Sequence, residues 1–524
     1  MRSLLAATPL VCIGCVPAAL SDSSSSSSSG PGKPPCTDQP AQFHGALVDF
    51  GTAGENIALF DPCSPAGGPI LSLADALDFR PRVQVVNAGS SPFSLGQTFE
   101  WTGEYYDSEG IKTLSLDVQR DEDGAALPPE GELLAAWSDI EDVVTFQDWT
   151  DLGTVYHFLC GDSTNAIVQV EGGQSTTEVV DWNLMCAMRA VSNTVVSNFL
   201  GFRPSASAST WDVVLADTFS FSPIVVATSD FVPACVASLP NGVAVLALDN
   251  DLHRLSSATG LTDLGMSWLD LVLPSGSGWT QGYGWVHLRR AGSNDYEIWK
   301  LSDAGDYGQV GGSQPGTPLE MQLIDGYAVV RSCQAASCQG GDEAVVAVDL
   351  GSGQAVPLDT AEEIQLLPMT SDGWAYYTKI DGGTTYAVAA KVDGTERSEE
   401  VDSRWICGEF DVRNAMTGEE TPLARVLLAA REDPGGDSIT MRLADDPSVI
   451  VRELGTLPLG YRAYGLQNDG CIAGPGRTTF VFTAAEVDSL GEAVQLDTFQ
   501  ADYEVAGSLV RVTDTPQSDE LGFW

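Results

Sequence analysis

Between Gly242 and Thr513 the chain alternates short apolar runs with polar turns, and the runs return at a near-constant distance. The segments MQLIDGYAVV (Met321 to Val330) and IQLLPMTSDGWAYYTKI (Ile364 to Ile380) each read as an apolar strand, a turn, and a second strand opening on glycine and an aromatic residue. Looser copies are WLDLVLPSGSGWTQGYGWVHL (Trp268 to Leu288) and YRAYGLQNDGCIAG, ending at Gly474. Asp325-Gly326, Asp372-Gly373 and Asp469-Gly470 supply the turns, because a tight hairpin needs positive φ and aspartate-glycine tolerates it. Gly242, Gly284, Gly326 and Gly373 lie 42, 42 and 47 residues apart, and Gly373 to Gly470 is 97, with Arg425 the start between them. A second hairpin follows each start, as in YAVVRSCQAASCQGGDEAVVAVDLGSG and WAYYTKIDGGTTYAVAAKVDGT. Looser copies upstream are ALVDFGTAGENIALFD, FEWTGEYYDSEGIKTLSLDV and TVYHFLCGDSTNAIVQV.

Four short strands in each ~45 residues is the arithmetic of a propeller blade. The chain therefore resembles a β-propeller, most clearly over 242–513 and more loosely from Ala46 to Ala244. Ala347-Val348-Asp349-Leu350-Gly351-Ser352-Gly353 is similar to the A-x-D-x-x-T-G turn of quinoprotein-like blades, with Ser352 in place of threonine and no tryptophan after it. No subfamily follows. The expected fold is all-β, a propeller of about seven to eight four-stranded blades. Tandem β-sandwich domains are the alternative, but units of ~100 residues would repeat at twice the observed distance. The segment Leu184 to Phe202 is the one candidate helix, and with Val195-Val196 and no caps it reads equally as strand.

The N-terminus has a different organisation. Arg2, the apolar run from Leu4 to Val11, and Ile13-Gly14-Cys15 precede seven serines, Ser23 to Ser29. The run is shorter than the ~20 apolar residues a spanning helix needs and is broken by Pro9. This order resembles a bacterial lipoprotein leader, which implies cleavage after Gly14 and lipid on Cys15. Cys12 stands where that family usually has leucine. An ordinary cleaved signal, freeing a soluble secreted protein, is the other reading. Residues 15–40, rich in serine, proline and glycine, form an expected disordered tether. The expected division is thus 1–14 leader, 15–40 tether, 41–513 propeller and 514–524 tail.

With 43% hydrophobic residues the body can bury a sizeable core. Its 25 basic and 72 acidic residues give a net charge of −47. That field opposes nucleic acid, whose binding depends on cations neutralising phosphates, and opposes adhesion to anionic lipid. It favours solubility, cations and basic partners. The membrane is expected as a partner only through the lipid on Cys15, with a protein or carbohydrate ligand beyond it. In an exported chain the cysteines beyond Cys15 are read as disulfides. Sequence neighbours suggest Cys36 with Cys63, Cys160 with Cys186, Cys333 with Cys338, and Cys407 with Cys471, leaving Cys235 as the odd thiol.

No catalytic signature is present, and no catalytic residue is assigned. The four histidines, His44, His157, His253 and His287, are far apart, which excludes the H-E-x-x-H metalloprotease pattern. G-x-S-x-G and G-x-x-x-x-G-K are also absent. Calcium is the only cofactor the acidic turns Asp249-Asn250-Asp251 and Asp121-Glu122-Asp123-Gly124 would suit, and neither has the order of a known calcium loop. Trp285, Tyr327 and Trp374, near the turn glycines, are candidates to line one end of the channel, and His287 in the basic run WVHLRR is a candidate anion contact. The expected function is recognition or scaffolding at the cell surface. A propeller enzyme acting on polysaccharide is the alternative; it predicts paired carboxylates, or a carboxylate beside His157, His253 or His287, at the channel.

Overall fold

Among the described residues, the strands of the computed structural model form ten antiparallel sheets that follow one another along the chain. The structure describes residues 44–520, apart from 50–54, 62–69, 74–76, 86–98, 148–153, 162–164, 191–194, 257–259, 273–276, 334–341, 368–372, 413–423, 464–470, 474–478, 513–518 and shorter gaps in other connections. Sheets 2 to 10 occupy 77–136, 140–180, 183–229, 234–267, 277–315, 317–361, 363–401, 403–456 and 461–511. Sheet 1 takes three strands from 44–73 and its fourth, Asp519–Glu520, from the far end of the chain. The fold is an all-β propeller. The segment that read as helix or strand is two strands, Asn183–Ala190 and Val195–Pro204, paired with each other.

Sheets 2 to 9 run as strands a, b, c and d in chain order from one edge to the other; sheet 10 does so with a short extra strand, Cys471–Ala473, beside strand b, and in sheet 1 the a position is taken by Asp519–Glu520. Neighbouring strands are antiparallel, so the a–b and c–d turns emerge at one end of the molecule and the b–c and d–a connections at the other. We call these the first and second ends.

The core explains why the sheets stack as they do. Among the described residues there are nine apolar clusters, and each joins one sheet to the next. Strand Val243–Leu248 of sheet 5, VAVLAL, shows the rule. Its residues Val243, Val245 and Ala247 pack towards Trp285 and Leu301 of sheet 6, while Ala244, Leu246 and Leu248 pack towards Met188, Leu200 and Val213 of sheet 4. Successive side chains of a strand point to opposite faces, so a strand covered on both sides must be apolar at every position. Burial of each such side chain stabilises by ~1.5–3 kcal/mol. Sandwiches would instead pair the sheets two by two and leave the outer faces in water.

The ring closes between sheets 10 and 1. Leu47 and Val48 pair with Glu520 and Asp519, and Asp519–Glu520 also lies against strand Ala493–Asp502 of sheet 10. Among the described residues the sheets number ten, against about seven to eight blades expected from the sequence. The upstream copies, which lack the aspartate-glycine turn, are complete four-stranded sheets all the same, and sheet 5 is built within 234–267 alone.

The cysteine pairing also differs from expectation. Cys186 is bonded to Cys235, across the a strands of sheets 4 and 5. Spacing in sequence suggested Cys160 for Cys186, but Cys160 is on strand Val155–Gly161 of sheet 3, whereas the two a strands meet directly, with Ser238 Oγ donating to the Ala187 carbonyl at 2.5 Å. Cys160 packs at the edge of the core between sheets 3 and 4, and Cys333 is buried in sheet 7. Cys15, Cys36, Cys63 and Cys338 lie outside the described residues, as do the side chains of Cys407 and Cys471.

Candidate functional site

Trp285 and His287 share one face of strand Gly284–Arg290 and point into the boundary between sheets 5 and 6. Both are buried, with ring centroids 4.4 Å apart. His287 Nε2 is 2.8 Å from the Tyr307 hydroxyl, which is itself 2.6 Å from Met266 Sδ of sheet 5. Burial lowers the His287 pKa to about 4, so the ring is neutral near pH 7. Arg289 is paired with Asp270 at 3.4 Å and Glu297 at 3.7 Å, and lies over Trp299. The run WVHLRR is therefore largely interior and compensated, and His287 and Trp285 line no channel end.

Tyr327 and Trp374 are placed differently. Each is the first residue of a b strand, in sheets 7 and 8, at the first end, and each is half-buried against the core of its sheet and the next. Trp374 has a cation of its own chain over its ring, Lys391 at 5.4 Å. Tyr283, at the same end of sheet 6, has Lys300 at 5.7 Å, and that ammonium donates to the Leu350 carbonyl at 2.8 Å. Among the described residues no cation lies over Tyr327. Its cross-strand partner is Asp349, where Trp374 has Lys391. Burial first, then Asp349, Asp393 and Asp325, raise the Tyr327 hydroxyl above its ordinary pKa.

Local chain geometry builds this group. Gly326 has φ +80°, and a Cβ there would come within 2.8 Å of the Tyr283 hydroxyl, so glycine lets Tyr283 of sheet 6 cross the turn of sheet 7. Asp349 accepts the Gly351 and Ser352 amides, both at 2.7 Å, and Asp393 accepts the Thr395 amide at 2.9 Å and its hydroxyl at 2.6 Å. These bonds hold both carboxyls below the usual aspartate range. The arrangement sets the Tyr327 ring beside fixed carboxylates, with Lys300 near Asp349 and Lys391 near Asp393. Sequence reasoning singled out Tyr327 and Trp374 but missed Tyr283, Asp349 and Asp393. The signal was present: c–d turns open on an aspartate followed two or three places on by serine or threonine, as at Asp217, Asp349, Asp393 and Asp446.

A carboxylate does stand beside a histidine, as the enzyme alternative required. Glu104 Oε2 is 3.4 Å from His157 Nε2, and the Tyr106 hydroxyl is 3.2 Å from Nδ1. All three side chains are buried between sheets 2 and 3. Among the described residues no three His, Cys, Asp or Glu side chains converge to hold a metal ion. Asp249, in one of the two acidic turns, accepts the Ser229 hydroxyl and the Asp230 amide, at 2.9 and 2.6 Å.

No family model matches the chain, and no characterised protein matches it in sequence. Among solved structures it is similar to an oligogalacturonate lyase from Vibrio parahaemolyticus, at 11% identity and a TM-score of 0.33 over 64% of this chain and 94% of that one. An oligogalacturonate lyase in complex with manganese gives 10% identity and 0.31, over 65% and 93%. A eukaryotic initiation factor gives 9% and 0.31, over 69% and 96%. Likeness at this level names no substrate.

Proposed function

We propose that the chain is a recognition module, exported and anchored through lipid on Cys15, that receives a cationic group of a protein or carbohydrate ligand on Tyr327. The observation that carries this reading is the contrast among three aromatic rings at one end of adjoining sheets. Tyr283 and Trp374 are each covered by a lysine of the chain, whereas Tyr327 faces Asp325, Asp349 and Asp393. A cation over an aromatic face gains ~0.5–2 kcal/mol, and ionised carboxylates around it add attraction and choice of sign. The polysaccharide-enzyme reading needs an acid–base pair open to substrate, and the Glu104–His157 pair is interior.

Titration calorimetry with a lysine-rich peptide and with an amino-sugar oligomer tests the ligand. Tyr327→Ala is expected to weaken one of them at least tenfold while Tyr327→Phe retains it. Unchanged binding in Tyr327→Ala would remove the site. For the anchor, Cys15→Ser is expected to release the protein from the membrane fraction, and continued retention would refute lipidation.

A further inference from the structure

At the second end, three connections around sheet 5 are tied into one hydrogen-bonded unit. The b–c turn Asp249-Asn250, with φ +51° and +71°, is its centre. Asp249 accepts the Ser229 hydroxyl at 2.9 Å, and that buried hydroxyl lies 2.8 Å from the Phe231 carbonyl and 3.3 Å from the Phe231 amide. On the other side, the Asn250 carbonyl accepts the Trp268 amide at 2.7 Å, and the Ser267 hydroxyl receives the Leu269 amide at 3.3 Å. One turn thereby fixes both the connection that enters sheet 5 and the one that leaves it.

What the unit presents is apolar. Phe231, Val232 and Leu269 are 60%, 58% and 72% exposed. Single exposed apolar residues need no explanation, but three large ones held on braced backbone leave apolar surface in water without the mobility that would let it fold away. Strand burial does not require them, because the core between sheets 5 and 6 is complete with Val243, Val245, Leu271 and Trp285.

Charge selects the occupant. The acids at this end of sheets 4 to 6 include Asp212, Asp230, Asp249, Asp251, Asp270 and Asp295, against Arg203, already paired with Asp181, Arg289, already paired with Asp270 and Glu297, and Arg290. A second copy would bring its own charge of −47 to a surface of the same sign. We propose that this unit is a docking surface for a partner protein segment that carries an apolar anchor flanked by lysine or arginine. Preorganisation by Asp249 and Asn250 lowers the ordering cost of that contact. The surface is at the opposite end from Tyr327, and the proposal does not depend on that site.

The test uses the full chain and a fluorescein-labelled peptide of alternating tryptophan and lysine, with a serine-lysine peptide of equal charge as comparison. Fluorescence anisotropy is expected to show binding of the first peptide only. Phe231→Ser with Leu269→Ser is expected to weaken it at least tenfold, while Phe219→Ser, which removes a 96% exposed ring at the first end, leaves it unchanged. Equal binding by both variants and the parent, equal binding of the serine-lysine peptide, or no binding overturns the proposal. So does attachment to phosphatidylcholine vesicles that the double substitution abolishes without peptide binding, which would assign the surface to lipid. Sedimentation showing a dimer that the double substitution dissociates would assign it to a second copy, and also overturns the proposal. All three residues are exposed, so melting curves of the variants are expected to match the parent and exclude misfolding.

Discussion

Cys186 and Cys235 join the axial edges of sheets 4 and 5, 49 residues apart in sequence and one sheet apart in space. A cross-link of that loop length restricts the unfolded chain by about 4 kcal/mol on the chain-entropy estimate. Replacing both with serine is expected to lower the denaturant midpoint without changing the ring. Urea unfolding of the double variant against the parent measures it, and equal midpoints would show that packing of the two strands suffices.

His287 gives the fold a pH dependence of definite sign. Its ordinary pKa of 6.5 is lowered to about 4 by burial. Above pH 6.5 the ring is neutral in both states, and its contribution is fully present. As pH falls from 6.5 to 4 only the unfolded chain takes up the proton, so stability declines by about 3 kcal/mol and levels off below. Melting temperature against pH is expected to slope across that window, with a shallower slope in His287→Gln.

The legible part of this molecule was its repeat. Apolar runs such as Val243–Leu248 and Ala328-Val329-Val330, which need cover on both faces, and the turns at Asp325 and Gly373, carry the architecture locally. Blade number was not legible, because sheets 1 to 4 reach the same pairing without the aspartate-glycine marker. The disulfide was missed for a related reason: distance along the chain favours Cys160, whereas the ring brings together equivalent positions one repeat apart. Trp285 and His287 looked like surface candidates in WVHLRR, and only the folded arrangement shows that Tyr307 of the same sheet and Met266 of the neighbouring one enclose the histidine. Tyr327 was singled out for its place after a turn glycine, but its distinguishing feature, Asp349 where Trp374 has Lys391, depends on cross-strand register.

Lys379 is buried in sheet 8, 3.4 Å from Asp359 of sheet 7 and 3.2 Å from Glu399, with Tyr386 beneath its ammonium at 5.1 Å. Lys379→Met keeps the length of the side chain but withdraws one of the cations facing Asp359, leaving Arg397 at 2.7 Å. Losing one partner of a buried ion pair costs about 3–5 kcal/mol, and with Arg397 retained the expected loss is at the low end. Chemical denaturation reads it; a loss under ~0.5 kcal/mol, the range of ordinary surface changes, would show that Arg397 alone neutralises the site.

Removal of residues 519–524 takes away the strand that pairs with Leu47 and Val48. Hydrogen exchange is expected to rise first in sheets 1 and 10 and last in sheets 5 to 7, on the far side of the ring. Uniform acceleration through all sheets would mean that opening the seam melts the molecule as one unit.

Because every apolar cluster is shared between neighbours, none of these sheets is a self-sufficient piece. Excising a unit would confront two faces whose bumps and hollows were never fitted to each other, and adding one would demand a wider circle from all the rest. A chain built this way can vary its loops freely while the number of its units stays locked, which confines change to the two ends where the half-buried Tyr327 and the braced apolar knuckle are found.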